Sequence, residues 1–207
     1  MTASDLLLLL SIGVVQLLAV ISPGPSFLIT ARTAVARSRL DGVKVALGLT
    51  AGTVIWSSAA LLGLNAVFHA MPMLFMAMKV AGALFLLWMA WQIFRHAKDP
   101  IAMDGADATG NPFMRGLLTQ LANPKVVVFF GSIFIAMLPA SVPLWMTLAL
   151  IAIVSFNELW WYTVVALFFG SSPVRSFYLR AKAWIDRITG LFLGALGLRL
   201  LWAARDV

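Results

Sequence analysis

Apolar residues run along this chain in long blocks, and the polar positions gather in the short gaps between them. A helix needs about 20 mostly apolar residues to cross the hydrocarbon of a bilayer. Six blocks meet that length, roughly Leu6–Ala34, Val43–Ala66, Met73–Phe94, Gly116–Leu138, Leu144–Phe169 and Ile185–Ala203. The links are short apart from Arg95–Arg115, whose Pro, Gly, Asp and Asn content predicts a flexible loop. The pattern predicts an all-α integral membrane protein with six transmembrane helices in one transmembrane domain over residues 1–207.

Two blocks are interrupted. "AVISPGPSFLIT", residues 19–30, places Pro23, Gly24 and Pro25 inside the first span, and "QLANPKVVVFF" places Asn123, Pro124 and Lys125 inside the fourth. Proline lacks an amide donor and clashes with the preceding helical turn, so continuous helix is not expected at either place. Main-chain groups freed in this way are tolerated only against protein or a wet cavity, because lipid cannot satisfy them. Freed carbonyls suit a cation or ammonium, and a half-helix beginning near Ser26 suits a carboxylate. The plainer alternative is a proline kink that only bends the helix.

The breaks fall in corresponding places. Dividing the chain at the third link gives a first unit of about 1–95, a loop of 96–115 and a second unit of about 116–207, and each unit opens on a broken span. "KVAGALFLLW" at Lys79 is also similar to "RITGLFLGAL" at Arg187, each in the last span of its unit. Basic residues cluster in the first link (Arg32, Arg37, Arg39, Lys44), the third (Arg95, Lys98, Arg115) and the fifth (Arg175, Arg180, Lys182, Arg187). By the positive-inside rule these links are cytoplasmic and both termini face outward. The charge order then reverses between the units, as expected of two inverted three-helix repeats with broken helices 1 and 4. Paired interrupted helices in inverted halves are a sequence pointer to a transporter's binding site.

Composition agrees with this reading. The chain is 62% hydrophobic and 11% charged, with a mean hydropathy of +0.97; a soluble domain is typically about 25% charged. The net charge of +7 would suggest nucleic acid in a soluble protein, but here basic cytoplasmic loops account for it, and lipid, not nucleic acid, is the expected partner. No cysteine is present, and the only histidines, His69 and His96, do not suggest a metal site. No cofactor is expected. The N-terminus lacks the basic start and small-residue cleavage pattern of a signal peptide.

Candidate chemistry lies within the spans. Lys125 is an ionisable residue inside the fourth, and Glu158, with Asn157 beside it, lies near the middle of the fifth. Such residues are functional-site hypotheses by default. Lys125 can instead snorkel to the nearer edge, or the two can simply neutralise each other. In the functional reading, Pro23–Ser26, Asn123–Lys125, Asn157 and Glu158 form the site, lysine holds a substrate carboxylate, and glutamate holds an amine or a proton. Gly48 and Gly52 form a GxxxG read as helix packing, within one chain or between copies of a homo-oligomer. Trp145, Trp184 and Trp202 are placed as interface anchors, and Trp160 and Trp161 are assigned mainly to core or lipid contact.

The stretches "SPGPSFLITARTAVARSRLDGVKVALGLTAG" and "GLLTQLANPKVVVFFGSIF", with Glu158 and the following "LWWYTVV", resemble the LysE/RhtB family of bacterial amino-acid exporters, and most closely its threonine and homoserine efflux branch. The resemblance runs from Leu6 to about Leu201. It implies efflux of small amino acids across the bacterial inner membrane in exchange for protons. From the residues, the expected mechanism is alternating access, with the two halves rocking about the central site and Glu158 as proton carrier. Family members often carry an acid or amide directly after Pro-Gly-Pro, where this chain has Ser26. No phosphate-binding loop is present, so a primary pump is not indicated. The competing classes are a membrane scaffold without transport and an intramembrane enzyme; for the enzyme, no buried cysteine or histidine nucleophile–base pair is found.

Overall fold

The computed structural model describes residues 2–70, 72–99, 110–139, 142–169 and 171–202. The middle of the expected 96–115 loop and the end of the sixth span beyond Trp202 lie outside the described residues, as do the side chains of His69 and Lys79. Eight helices follow one another: α1 (Ala3–Ile21), α2 (Pro25–Ala36), α3 (Arg39–Ala70), α4 (Pro72–Arg95), α5 (Pro112–Leu121), α6 (Pro124–Met137), α7 (Leu144–Phe168) and α8 (Ser172–Trp202). Among the described residues there is no strand.

Both interruptions read from the sequence are present, between α1 and α2 and between α5 and α6. Helix boundaries follow local chemistry. Thr2 and Asp5 form a reciprocal capping box at the start of α1. The fourth segment begins earlier than the expected Gly116, because the Asn111 side chain accepts from the amides of Phe113 and Met114 while Pro112 takes the first helical position. The last helix also starts earlier. Arg175, Arg180, Lys182 and Arg187, expected in a link, fall within α8. α1, residues 39–63 of α3, and α7 are long and apolar enough to cross a membrane, and α5 with α6, bent by 56°, makes a fourth if the pair is one span.

Packing arranges the helices around one centre. α3 lies against α2, α5 and α7, α4 lies against α6 and α8, and α1 packs on α7 and α8. One core cluster joins Ile12, Leu86, Ile133, Phe134, Leu150 and Leu193; a second joins Phe27, Leu49, Tyr162, Phe169 and Tyr178. In lipid, water does not drive helices together, so close backbone approach matters more. Gly48 on α3 faces the Phe113 carbonyl and the Leu117 amide of α5, and Gly116 on α5 faces the Val45 carbonyl of α3. A Cβ at either position would collide with main chain. The Gly48–Gly52 face is therefore used inside the chain, with Gly52 set against Gln120. Trp145, Trp184 and Trp202 are exposed, as anchors at a membrane interface require.

Candidate substrate site at the paired helix breaks

The first break can be derived atom by atom. In an α-helix the carbonyl of residue i accepts from the amide of i+4. The Ala19 carbonyl would need the amide of residue 23 and the Ile21 carbonyl that of residue 25, and both are prolines. The structure supplies replacements from other helices. Lys125 Nζ donates to the Ala19 carbonyl at 3.0 Å, and Tyr178 Oη donates to the Ile21 carbonyl at 2.8 Å. The Leu18 carbonyl keeps its helical donor, the Ser22 amide at 3.1 Å, while the single hydroxyl proton of Thr189 is closer to the Ile185 carbonyl of its own helix, at 2.8 Å, than to Leu18, at 3.2 Å. At the start of α2, Gly24 is the cap and no side chain satisfies the first amides. Lys125 suits its place electrostatically, since the C-terminal end of a helix is its negative pole.

The second break repairs itself. Pro124 deprives the Gln120 carbonyl of its helical donor, and the Asn123 amide takes the role at 3.2 Å. The Asn123 side chain then accepts from the Lys125 amide at 3.1 Å, capping α6.

The two breaks touch. Asn123 Nδ2 donates to Ser26 Oγ at 3.3 Å, and Ser26 Oγ donates to Gln120 Oε1 at 2.7 Å. Gln120 Nε2 donates in turn to Glu158 Oε1 and to Thr53 Oγ1, each at 2.7 Å. The other carboxylate oxygen of Glu158 accepts from Gln16 Nε2 at 3.4 Å. Ser26, Asn123, Gln120, Gln16 and Glu158 are all buried. With Lys125, Gly24 and Ser22 they line a cavity with about 410 Å³ of empty space including its opening, closed by apolar Val20, Val126, Phe129 and Phe130 and by Tyr162. The space inside it is only about 40 Å³, far below the roughly 300–1,000 Å³ of a small-molecule site, although apolar walls with a few convergent polar groups are the usual make-up of one.

The expected residues divide into three groups. Gly24, Ser26, Asn123, Lys125 and Glu158 line the cavity. Pro23, Pro25 and Pro124 shape it by the donors they lack; Pro23 lines a neighbouring cavity, and Pro25 and Pro124 open α2 and α6. Asn157 does not line it. Its Nδ2 holds the Gly13 carbonyl at 3.0 Å and Gln16 Oε1 at 2.8 Å, which orients Gln16 toward Glu158. Lys125 and Glu158 form no ion pair: the described ion pairs are Arg37–Asp41, Lys44–Asp41 and Lys182–Asp186, and the Lys125 ammonium gives one of its three donors to the Ala19 carbonyl.

Sequence reasoning missed Gln16, Gln120, Thr53, Ser22 and Tyr162. Only one signal was available for the glutamines: each is an amide within an otherwise apolar stretch, near a break or an acid. A buried acid was also missed, since Asp186 in α8 is as deeply enclosed as Glu158. Trp160 and Trp161 do not line the cavity.

Comparison with known proteins adds the lineage. The chain is 35% identical to the threonine efflux protein of Escherichia coli (strain K12) over 202 residues, covering 95% of this chain and 98% of that one. It is 30% identical to an uncharacterized membrane protein of the same strain, over 87% of this chain and 83% of the other. It is 27% identical to the leucine efflux protein of Enterobacter sp. (strain 638), over 86% and 85%. No solved structure matches it. Apolar helices of crossing length and these relatives make it a multi-pass protein of the bacterial inner membrane. Residues 17–204 match the family described as LysE type translocator, and the chain belongs to that family.

Proposed function

We propose that this protein exports small neutral amino acids from the bacterial cytoplasm, in exchange for protons and by alternating access. The observation that carries the reading is the convergence of Ser26, Asn123, Gln120, Lys125 and Glu158 on one enclosed cavity at the junction of two broken helices. Relatives named for threonine and leucine efflux support amino acids as the class of passenger.

The site offers each end of a zwitterion a partner. A carboxylate is matched by the uncapped first turn of α2 together with the Lys125 ammonium. An α-ammonium is matched by the ionised Glu158 carboxylate. Glu158 then serves two occupants in turn, substrate ammonium or proton, and mutual exclusion at one carboxylate couples opposite flows. Gln16 and Gln120 hold the carboxylate in place through both oxygens, and Asn157 steadies Gln16.

In this reading the six expected spans form two inverted repeats, about 1–95 and 116–207, with α1–α2 corresponding to α5–α6, α3 to α7, and α4 to α8. The packing of α3 on α7 and of α4 on α8 suits a twofold relation, because each pairs an element with its counterpart. Both termini face outward, and the basic links face the cytoplasm.

The test is a panel of amino acids in proteoliposomes with an imposed pH gradient. Threonine or a similar small neutral residue is expected to move against its gradient. Glu158→Gln is expected to abolish gradient-driven movement while membrane expression stays normal; driven efflux at the wild-type rate in that variant would remove Glu158 from the mechanism.

A further inference from the structure

A second cavity lies next to the first. About 330 Å³ of space is bordered by Ser22, Pro23, Gly24, His96, Asp99, Lys182 and Asp186. Ser22 and Gly24 line both cavities, so the interrupted main chain of the first break is the partition between them. Two charged side chains border this second space although little of either is exposed, 11% of the Lys182 side chain and 6% of that of Asp186. They form an ion pair at 3.0 Å. Lys182 Nζ is also held from behind by the carbonyls of His96 and Ala97, each at 3.0 Å. Asp186 has a bond to the partition itself, as Ser22 Oγ donates to its Oδ1 at 2.9 Å.

A buried ion pair is poor evidence of stabilisation, since two charges must be stripped of water and an apolar pair of similar volume often serves as well. A pair that also lines a cavity leading to a substrate site admits a different account. We infer that Lys182 and Asp186 form a second, outer substrate subsite, which receives a zwitterionic amino acid before it reaches the central cavity. This rests on the reading of the chain as an amino-acid exporter with its basic links toward the cytoplasm, the side from which an exporter loads.

Charge balance selects the ligand class. The buried pair is neutral as a whole, and Asp99, which also borders the cavity, is exposed and solvated, so a ligand that inserts between the pair's members without leaving an uncompensated buried charge must be neutral as a whole and carry both signs. An α-amino acid does so, with its ammonium on Asp186 and its carboxylate on Lys182. A pure cation would strand Lys182, and a pure anion would strand Asp186. The carbonyls of His96 and Ala97 keep the Lys182 ammonium in position while its carboxylate partner is exchanged. Drawing Asp186 toward the ligand takes it from Ser22, which loosens the partition between the two cavities when the outer subsite is filled.

The experiment is equilibrium binding of radiolabelled L-threonine to purified protein in lipid nanodiscs, alongside efflux kinetics in proteoliposomes. Unmodified protein is expected to bind two threonines per chain, and Glu158→Gln is expected to retain the outer one. The double variant Lys182→Gln/Asp186→Asn removes both charges together and so leaves neither unpaired. It is expected to bind one threonine, and its half-saturating concentration for efflux is expected to rise about tenfold, the equivalent of one lost charged contact. A second arm needs no variant: L-threoninol, which lacks the carboxylate, and N-acetyl-threonine, which lacks the ammonium, should fail to displace threonine from the outer subsite. Unchanged stoichiometry and half-saturation in the double variant, or displacement by either analogue, would overturn the subsite and leave the export reading standing. Failure of the unmodified protein to bind or move threonine or leucine would overturn both.

Discussion

The two helix breaks use the same residue to opposite ends. At Asn123-Pro124 the hydrogen bond lost to proline is remade locally by the Asn123 amide, which serves Gln120, and the Asn123 side chain accepts from the Lys125 amide to cap α6. At Pro23-Gly24-Pro25 the lost bonds are remade by distant side chains, Lys125 from α6 and Tyr178 from α8. The second break is therefore a fixed corner, stable by its own chemistry. The first holds its shape only while α6 and α8 stand where they do, so it reports their position. A passenger that competes for Lys125 acts directly on the first break and leaves the second alone.

The largest expected effect tests whether the difference matters for transport. Pro23→Ala with Pro25→Ala returns both missing donors and lets the helix run on, and efflux in proteoliposomes should fall to that of empty vesicles. Pro124→Ala should cost less than about tenfold in rate, because Gln120 already has a donor. Equal losses would erase the distinction. Next in size, Lys125→Ala removes a charged hydrogen bond, a contact of about 1.5–3 kcal/mol, and should weaken threonine binding roughly 10- to 100-fold. Unchanged affinity would show that the lysine serves the main chain only. Tyr178→Phe leaves the Ile21 carbonyl without its donor and should lower unfolding free energy by about 1–2 kcal/mol, read from thermal denaturation in detergent. Smallest is Asn123→Ala, a lost helix cap of about 1 kcal/mol, which Asn123→Asp should largely restore.

What could be read from the sequence depended on whether a residue's meaning is local. Proline removes its own amide wherever it stands, so both breaks were visible before any packing was known. An acid or a lysine inside an apolar run announces itself in the same way, which is why Glu158 and Lys125 could be singled out. Gln16 and Gln120 could not, because a neutral amide in a helix gains meaning only from which way the helix is turned. Whether Lys125 and Glu158 pair was likewise undecidable, since the competing partner was a main-chain carbonyl on another segment. The start of α8 was obscured by its own chemistry: four basic residues marked a link by charge, although each is compatible with helix. Asp186, at the edge of the expected span, is enclosed only because α8 lies against the first break.

The glycine crossing of α3 and α5 bears on how such a molecule can change shape. With Gly48 and Gly116 set main chain to main chain, these helices leave no side-chain layer to slide over, and they must travel as one piece although they come from different halves of the sequence. α6 meanwhile lies on α4 and also on α3. α3 thus touches both arms of the fourth segment, and the corner at Asn123 is held by its own cap and by that shared neighbour. Gln120, Asn123 and Lys125, which line the central cavity, all sit on or beside that braced corner.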